Sequence, residues 1–219
     1  MSDALVQFND VTRHYIVGND VAFALKEVSC SVTERQHVAV MGASGSGKST
    51  LLALMADLDV PDFGTVIWPG IGEKTSLRPK HVSVSFQAPS LLPSLTIQQN
   101  VEVPLLVLGE DRVGNSSLRA LDRLGIAHLR DRYPEQISGG QAQRAALARA
   151  MVAKPTLLLA DEPTGQLDQE TGQGVIKNLI EWAAEAGSTL VVATHDPQVA
   201  SKFPNQWRMS FGDLKTGVL

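Results

Sequence analysis

Eight consecutive residues carry the strongest chemical signal in the chain: Gly42-Ala43-Ser44-Gly45-Ser46-Gly47-Lys48-Ser49. Their order is G-x-x-x-x-G-K-[ST], the pattern of a phosphate cradle. Glycines let the backbone curl until successive N–H groups face one anion, and a helix that starts there adds its positive end. Lys48 can then reach β- and γ-phosphates, and the Ser49 hydroxyl suits a Mg²⁺ ion. The bland alternative is a Gly/Ser turn with an incidental lysine. A chance match in a chain this long is on the order of 1 %.

Two further clusters could complete such a site. Leu157-Leu158-Leu159-Ala160-Asp161-Glu162 ends an apolar run in paired carboxylates. Asp161 is placed to hold a Mg²⁺ shell. Glu162, one residue on, is expected on the other face of the strand, where it could orient or deprotonate a water. Solvated acids also end many strands, so the pair gains meaning only beside the phosphate loop. Ile137-Ser138-Gly139-Gly140-Gln141 is a second anion-binding design, with free N–H groups, a hydroxyl and a helix dipole. A serine before a helix is more often a plain N-cap. One nucleotide has a single γ-phosphate, so this second start serves either another ligand or a nucleotide held by another copy of the chain.

These residues need strands and helices behind them. His37–Met41 reads as a buried strand stopped by Gly42, and Lys48–Leu58 as a helix with Leu51, Leu52, Leu54, Met55 and Leu58 on one face. Val82–Phe86 alternates like a strand. Gln141–Ala153 is rich in helix formers and is stopped by Pro155. Thr156–Ala160 is a buried strand, Glu170–Ala186 a helix closing on Gly187, and Ser188–Ala193 a strand running into Thr194-His195-Asp196. Strands that feed helices in this way predict a mostly parallel sheet covered by helices, with ligands at the strands' carboxyl ends. Gly42, Asp161 and His195 all follow strand ends. The first thirty-odd residues and Thr65–Phe86 look more β-like and are expected to form a side sheet.

Composition narrows the class. The chain has 219 residues, 43 % of them apolar and 19 % charged, which fits a globular α/β protein and excludes a disordered one. A net charge of −4 argues against a nucleic-acid coat, and no nucleic-acid partner is expected. Cys30 stands alone, which excludes an internal disulfide and fits a reducing compartment. No apolar run approaches the roughly 20 residues of a membrane helix, and Met1-Ser2-Asp3-Ala4 does not open like a signal peptide. The expectation is an intracellular protein whose membrane role, if any, runs through a partner.

Taken together, Gly42–Ser49, Ile137–Gln141 and Leu157–Glu162 resemble the nucleotide-binding domain of ATP-binding cassette (ABC) transporters. Further stations match in the family's order. Gln87, after Val84-Ser85-Phe86, resembles the Q-loop glutamine, Gly165-Gln166-Leu167-Asp168 the D-loop, and His195 the switch histidine. Tyr15 resembles the aromatic residue that stacks on adenine, although a tyrosine there could also pack at a sheet edge. Leu91-Leu92-Pro93, Asn100-Val101 and Asp161-Glu162-Pro163-Thr164-Gly165 look like the branch holding lipoprotein-release, macrolide-efflux and cell-division ATPases. Ile137 stands where leucine is usual, and Gln99 where glutamate is expected.

The resemblance implies one ABC cassette over residues 1–219: a P-loop NTPase core of α/β class, an N-terminal antiparallel β-subdomain and an inserted helical subdomain over about 89–147. It implies ATP hydrolysis with Mg²⁺ held by Ser49, Gln87 and Asp161. Catalysis would fall to Lys48, Glu162, Gln87 and His195. The nucleotide would lie on Tyr15 and on Gly42 through Ser49 with Thr50. Ser138, Gly139, Gly140, Gln141 and Asp168 would face it from a second copy in a head-to-tail dimer, although Asp168 could instead be a helix N-cap. A separate transmembrane subunit would be the mechanical partner, with this chain on the cytoplasmic face of the inner membrane. Leu91, Leu92, Leu95, Val101, Val103, Leu105 and Leu106 are more apolar side chains than the 87–108 segment needs as a loop. About half are expected to pack inside, leaving the rest for that partner. The competitors are a soluble cassette acting on DNA or ribosomes, and an unrelated P-loop kinase or GTPase. Neither kinase nor GTPase accounts for Ser138–Gln141, and the Asn-Lys-x-Asp that reads guanine is absent from the sequence.

Overall fold

The computed structural model describes residues 4–71, 77–111 and 113–217. The Met1–Asp3 opening and part of the expected 65–86 β-segment lie outside the described residues. A six-stranded sheet in the order β5-β6-β7-β3-β8-β9 forms the centre. It comprises β3 (His37–Met41), β5 (Val82–Ser85), β6 (Leu157–Asp161), β7 (Thr189–Thr194), β8 (Asn205–Ser210) and β9 (Asp213–Lys215). All its pairings are parallel except β8 with β9. A second sheet, antiparallel and ordered β2-β1-β4, is built from β1 (Ala4–Val17), β2 (Asp20–Thr33) and β4 (Phe63–Ile67).

Strands covered on both faces must be apolar throughout, and β6 and β7 are buried along their whole length. Their period-2 alternation divides the interior into two cores. Ala39, Leu158, Ala160, Leu190 and Val192 face one, with the helices α2 (Ile97–Val107), α4 (Gly139–Met151) and α5 (Gln169–Ala186). Val38, Val40, Leu157, Leu159, Val191 and Ala193 face the other, with α1 (Lys48–Met55) and the antiparallel sheet. Burying each large aliphatic side chain contributes about 1.5–3 kcal/mol, so the strands whose ends carry the chemistry are the most firmly held part of the chain.

Two expectations are corrected here. α1 ends at Met55, and Leu58 is 45 % exposed. Asp57 adopts φ 53° and reverses the chain, while Leu58 N–H donates back to Ala53 O; a left-handed residue past the last turn is an ordinary helix stop. Of the 65–86 segment, only the part in β4 joins the side sheet. Val82–Ser85 is instead the edge strand of the central sheet, paired with β6. Between β5 and α4 the chain forms α2 and α3 (Gly114–Arg123), followed by short 3₁₀ turns. α2 opens on a capping box in which Thr96 and Gln99 satisfy each other's backbone N–H. Asn100 is fully buried and ties down the loop before α2, accepting from Leu92 N–H and donating to the carbonyls of Leu92, Leu95 and Thr96. Trp68, Trp182 and Trp207 are buried packing residues, as expected. Among the described residues no helix is long and apolar enough to cross a membrane.

Candidate functional site

The loop 42–47 joins the end of β3 to α1 at the centre of the sheet. Gly47, at φ 110°, precedes the first helical residue, and a Cβ there would collide with Ala24 O. At Gly42 it would collide with Met209 O. Only glycine passes at either point, so part of the pattern is set by packing against β2 and β8. Lys48 is 6 % exposed, and its Nζ donates to Gly42 O at 2.9 Å and Ala43 O at 3.0 Å. Its ammonium is thus folded over the loop, where an incoming phosphate would replace the two carbonyls.

The ends of β6 and β7 complete the site. Asp161 is buried; its carboxyl interacts with the Ser49 hydroxyl, and its Oδ1 has no partner among the described residues. Burial raises the Asp161 carboxyl above the usual carboxylate range, with neighbouring Glu162 adding to the effect and Ser49 and Lys48 opposing it. Glu162 does not lie on the opposite face as strand alternation suggested. It adopts φ 47°, which breaks the alternation and turns its side chain to the same cleft as Asp161. Glu162 Oε1 lies 3.5 Å from Lys48 Nζ, and Oε2 lies 3.0 Å from His195 Nδ1. The loop lysine, the acid and the histidine therefore form one chain of contacts.

A single cleft of about 580 Å³ gathers Ala43, Ser44, Gly45, Gly47, Lys48, Ser49, Thr50, Gln87, Asp161, Glu162, His195 and Tyr15. Gln87 sits exposed on its rim, just past β5. Tyr15 stands at the far end. Its hydroxyl donates to Asp59 Oδ2 at 2.8 Å, and the Arg13 guanidinium lies 4.7 Å from its ring centroid. Arg13 is fixed in turn by two contacts to Asp59 and one to Asp62. One ring face is thus covered and the other left for a ligand. Sequence reasoning missed Arg13 and Asp59; the alternation Arg13-x-Tyr15 on a strand was the available signal.

Ser138, Gly139, Gly140, Gln141 and Asp168 do not line this cleft. Ser138 caps α4 in a reciprocal box with Gln141, and Asp168 caps α5 by accepting from Thr171 N–H at 2.9 Å. The bland readings of both residues hold within one chain. The N–H groups of Gly139 and Gly140 precede the first helical bond of α4, from Ala142 N to Ser138 O, and the turn is largely exposed.

A phosphate loop between β3 and α1, with an acid pair at the end of β6 one strand further across β7, defines a P-loop nucleoside triphosphatase. The comparisons carry this further. Residues 25–165 match the ABC transporter family model. The chain is 37 % identical to the lipoprotein-releasing system ATP-binding protein LolD of Shewanella oneidensis, over 98 % of this chain and 97 % of that one. It is 40 % identical to the uncharacterized ABC transporter ATP-binding protein MJ0796 of Methanocaldococcus jannaschii, over 90 % and 89 %. A dimeric post-hydrolysis structure of MJ0796 bound to ADP and Pi superposes with a TM-score of 0.87 at 33 % identity, covering 96 % of this chain and 98 % of that one. The chain belongs to the ABC transporter family of ATP-binding cassettes, and it is an ATPase.

Proposed function

We propose that this chain powers a membrane complex of the lipoprotein-release and efflux type, with two copies closing head to tail on two ATP molecules. One observation carries the reading: Tyr15, Lys48, Ser49, Gln87, Asp161, Glu162 and His195 share one cleft, whereas the second glycine start and Asp168 lie outside it on a largely exposed surface. A site short of one wall in a chain that carries that wall elsewhere is completed by a second copy. Solved MJ0796 structures are dimeric, which supports the pairing of two copies.

Within each composite site, Tyr15 stacks on adenine and Gly42–Ser49 with Thr50 hold the phosphates. Lys48 leaves its two carbonyls for the β- and γ-phosphates. Ser49, Asp161 and Gln87 would hold Mg²⁺, which would supply positive charge against the phosphates. The buried, unpartnered Asp161 Oδ1 fits that role, since a bound cation offsets its desolvation. Glu162 accepts the proton of the attacking water, and His195 contacts the γ-phosphate. Ser138–Gln141 and Asp168 of the other copy close the site and exclude water.

Residues 89–147 form the helical subdomain and carry the contact with a separate membrane subunit at the cytoplasmic face. Val101 and Leu105 are buried, whereas Leu92, Leu106 and Val107 are exposed along this segment. LolD of Shewanella oneidensis is named for lipoprotein release, which supports lipoproteins as the cargo of this complex too. Gln99 does not weaken the assignment, because glutamine fills the capping-box position as well as glutamate does.

The test is complementation. Lys48→Ala and Ser138→Arg are each expected to be inactive, while their mixture recovers ATPase activity from mixed dimers holding one native composite site. Ser138→Arg alone should bind ATP like the parent in calorimetry. If it lost ATP binding as Lys48→Ala does, or the mixture stayed inactive, the head-to-tail arrangement would be wrong.

A further inference from the structure

Gln143 is a polar residue on the core-facing side of α4, 1 % exposed, with no place in the cleft. Its amide is fully used. Nε2 donates to Glu162 O at 2.6 Å, and Oε1 accepts from Gln166 N–H at 2.9 Å. One buried side chain on the helix of the second glycine start therefore grips both ends of the turn that follows the acid pair. The Glu162 peptide is held from two other directions, its N–H donating to Ala193 O at 2.9 Å and its carbonyl also accepting from Gly165 N–H at 3.0 Å. These bonds maintain the left-handed backbone at Glu162 (φ 47°), a conformation that a residue with a Cβ rarely adopts unaided. That conformation is what turns the Glu162 side chain into the cleft.

The packing around Gln143 tightens the same junction. A Cβ on Gly139 would stand 2.5 Å from Gln166 Oε1, and one on Gly140 would stand 2.8 Å from Leu167 Cδ2 and 2.9 Å from Gln166 O. The paired glycines thus serve a second purpose besides leaving N–H groups free: they let residues 166–167 lie directly on the first turn of α4.

We infer that Gln143 is a positioning residue that locks residues 162–168 to the first turn of α4, so that Glu162 and the partner-facing 138–141 turn move as one body. The inference rests on the proposed roles of Glu162 and of Ser138–Gln141. Its consequence is that closure on the partner's nucleotide and placement of a chain's own base are one motion. Removing Gln143 takes one of the two hydrogen bonds from the buried Glu162 carbonyl and the bond from the part-buried Gln166 N–H, and the cost falls on that junction and not on the phosphate loop.

The test uses two variants of the full chain. Gln143→Met keeps the length and removes both hydrogen bonds. Gln143→Glu keeps the acceptor for Gln166 N–H and sets a carboxylate oxygen against the Glu162 carbonyl. Both are expected to lower kcat by about 10–100-fold, the range of a misplaced catalytic group. The KM for ATP and the calorimetric affinity of the monomer should stay within about threefold, because Lys48, Ser49 and Tyr15 are untouched. A merely structural glutamine would lower the melting temperature without that split. A kcat within twofold of the parent in either folded variant, or KM rising in step with the fall in kcat, would overturn the inference. Hydrogen exchange on the parent protein gives an answer without any variant. The Gln166 amide should be protected both without nucleotide and with Mg²⁺ and a non-hydrolysable ATP analogue, and its loss of protection in either state would also overturn it. Normal turnover by Glu162→Gln would refute the base assignment instead. Slow Glu162→Gln beside normal Gln143→Met would refute this inference alone.

Discussion

Replacing Tyr15 isolates the contact proposed to read the base and not the phosphates. The ring is 39 % exposed at the end of the cleft, with Arg13 against one face and Asp59 on its hydroxyl. Tyr15→Ala removes a stacking contact of about 0.5–1.5 kcal/mol beyond burial. The Arg13 guanidinium rests on the ring with or without nucleotide, so its loss affects stability and not the binding difference. The stacking loss alone corresponds to roughly 2–13-fold weaker ATP binding. Tyr15→Phe keeps the ring and loses the exposed hydroxyl contacts to Asp59 and Thr50, so binding should stay within about threefold of the parent. Isothermal titration with ATP and, in parallel, with inorganic tripolyphosphate separates base from phosphate. Tripolyphosphate affinity should be unchanged in Tyr15→Ala, because Lys48 and the loop amides are intact. Equal losses for the two ligands would mean that Tyr15 shapes the phosphate loop, and an unchanged ATP affinity would mean that it only packs at the sheet edge. Either result refutes the stacking role.

Two further predictions follow from buried ionisable groups. Burial pushes the Cys30 thiol up to about 12, so at pH 8 its thiolate fraction is on the order of 10⁻⁴, against roughly a quarter for a free cysteine. Native protein should therefore react with iodoacetamide far more slowly than denatured protein at that pH, and equal rates would show the thiol to be open. Burial likewise raises the Asp161 carboxyl, so the ionised group costs stability above its folded pKa, and that cost disappears as pH falls below the unfolded value near 3.9. In EDTA without nucleotide, Asp161→Asn should melt above the parent at pH 7, with the gap narrowing toward acid; a lower melting temperature at pH 7 would contradict this.

Much of the site was legible because phosphate chemistry demands a fixed local pattern. Gly42–Ser49, Asp161 and His195 each follow an apolar run that reads as a buried strand, and the structure gathers them at the carboxyl ends of the interior strands. Glu162 was given the wrong face, since its left-handed backbone depends on bonds with Ala193, Gly165 and Gln143, residues distant or unremarkable in sequence. Arg13, Asp59 and Gln143 escaped notice for a related reason. They contact other candidate site residues across the fold, and apart from the Arg13-x-Tyr15 alternation, spacing along the chain carries no trace of such contacts. Val82–Ser85 was placed with the side sheet because strand character is local whereas sheet membership is a tertiary choice. Arg149, read as structural or solvated, is structural: it donates to Pro89 O and Ser90 O just past Gln87.

The central claim is that Glu162 activates water in a site completed by a second copy. Glu162 already contacts Lys48 and His195, so Glu162→Gln keeps the shape of the site while removing the base and one negative charge beside the γ-phosphate. Loss of a general base costs about 10²–10⁴-fold in rate, equivalent to about 3–5 kcal/mol of barrier. The decisive measurement is size-exclusion chromatography of Glu162→Gln with and without MgATP, paired with steady-state turnover on the same preparation. The account predicts a monomer without nucleotide, a dimer with MgATP, and turnover lowered at least about 100-fold. A monomer in MgATP that hydrolyses at the parental rate would contradict it.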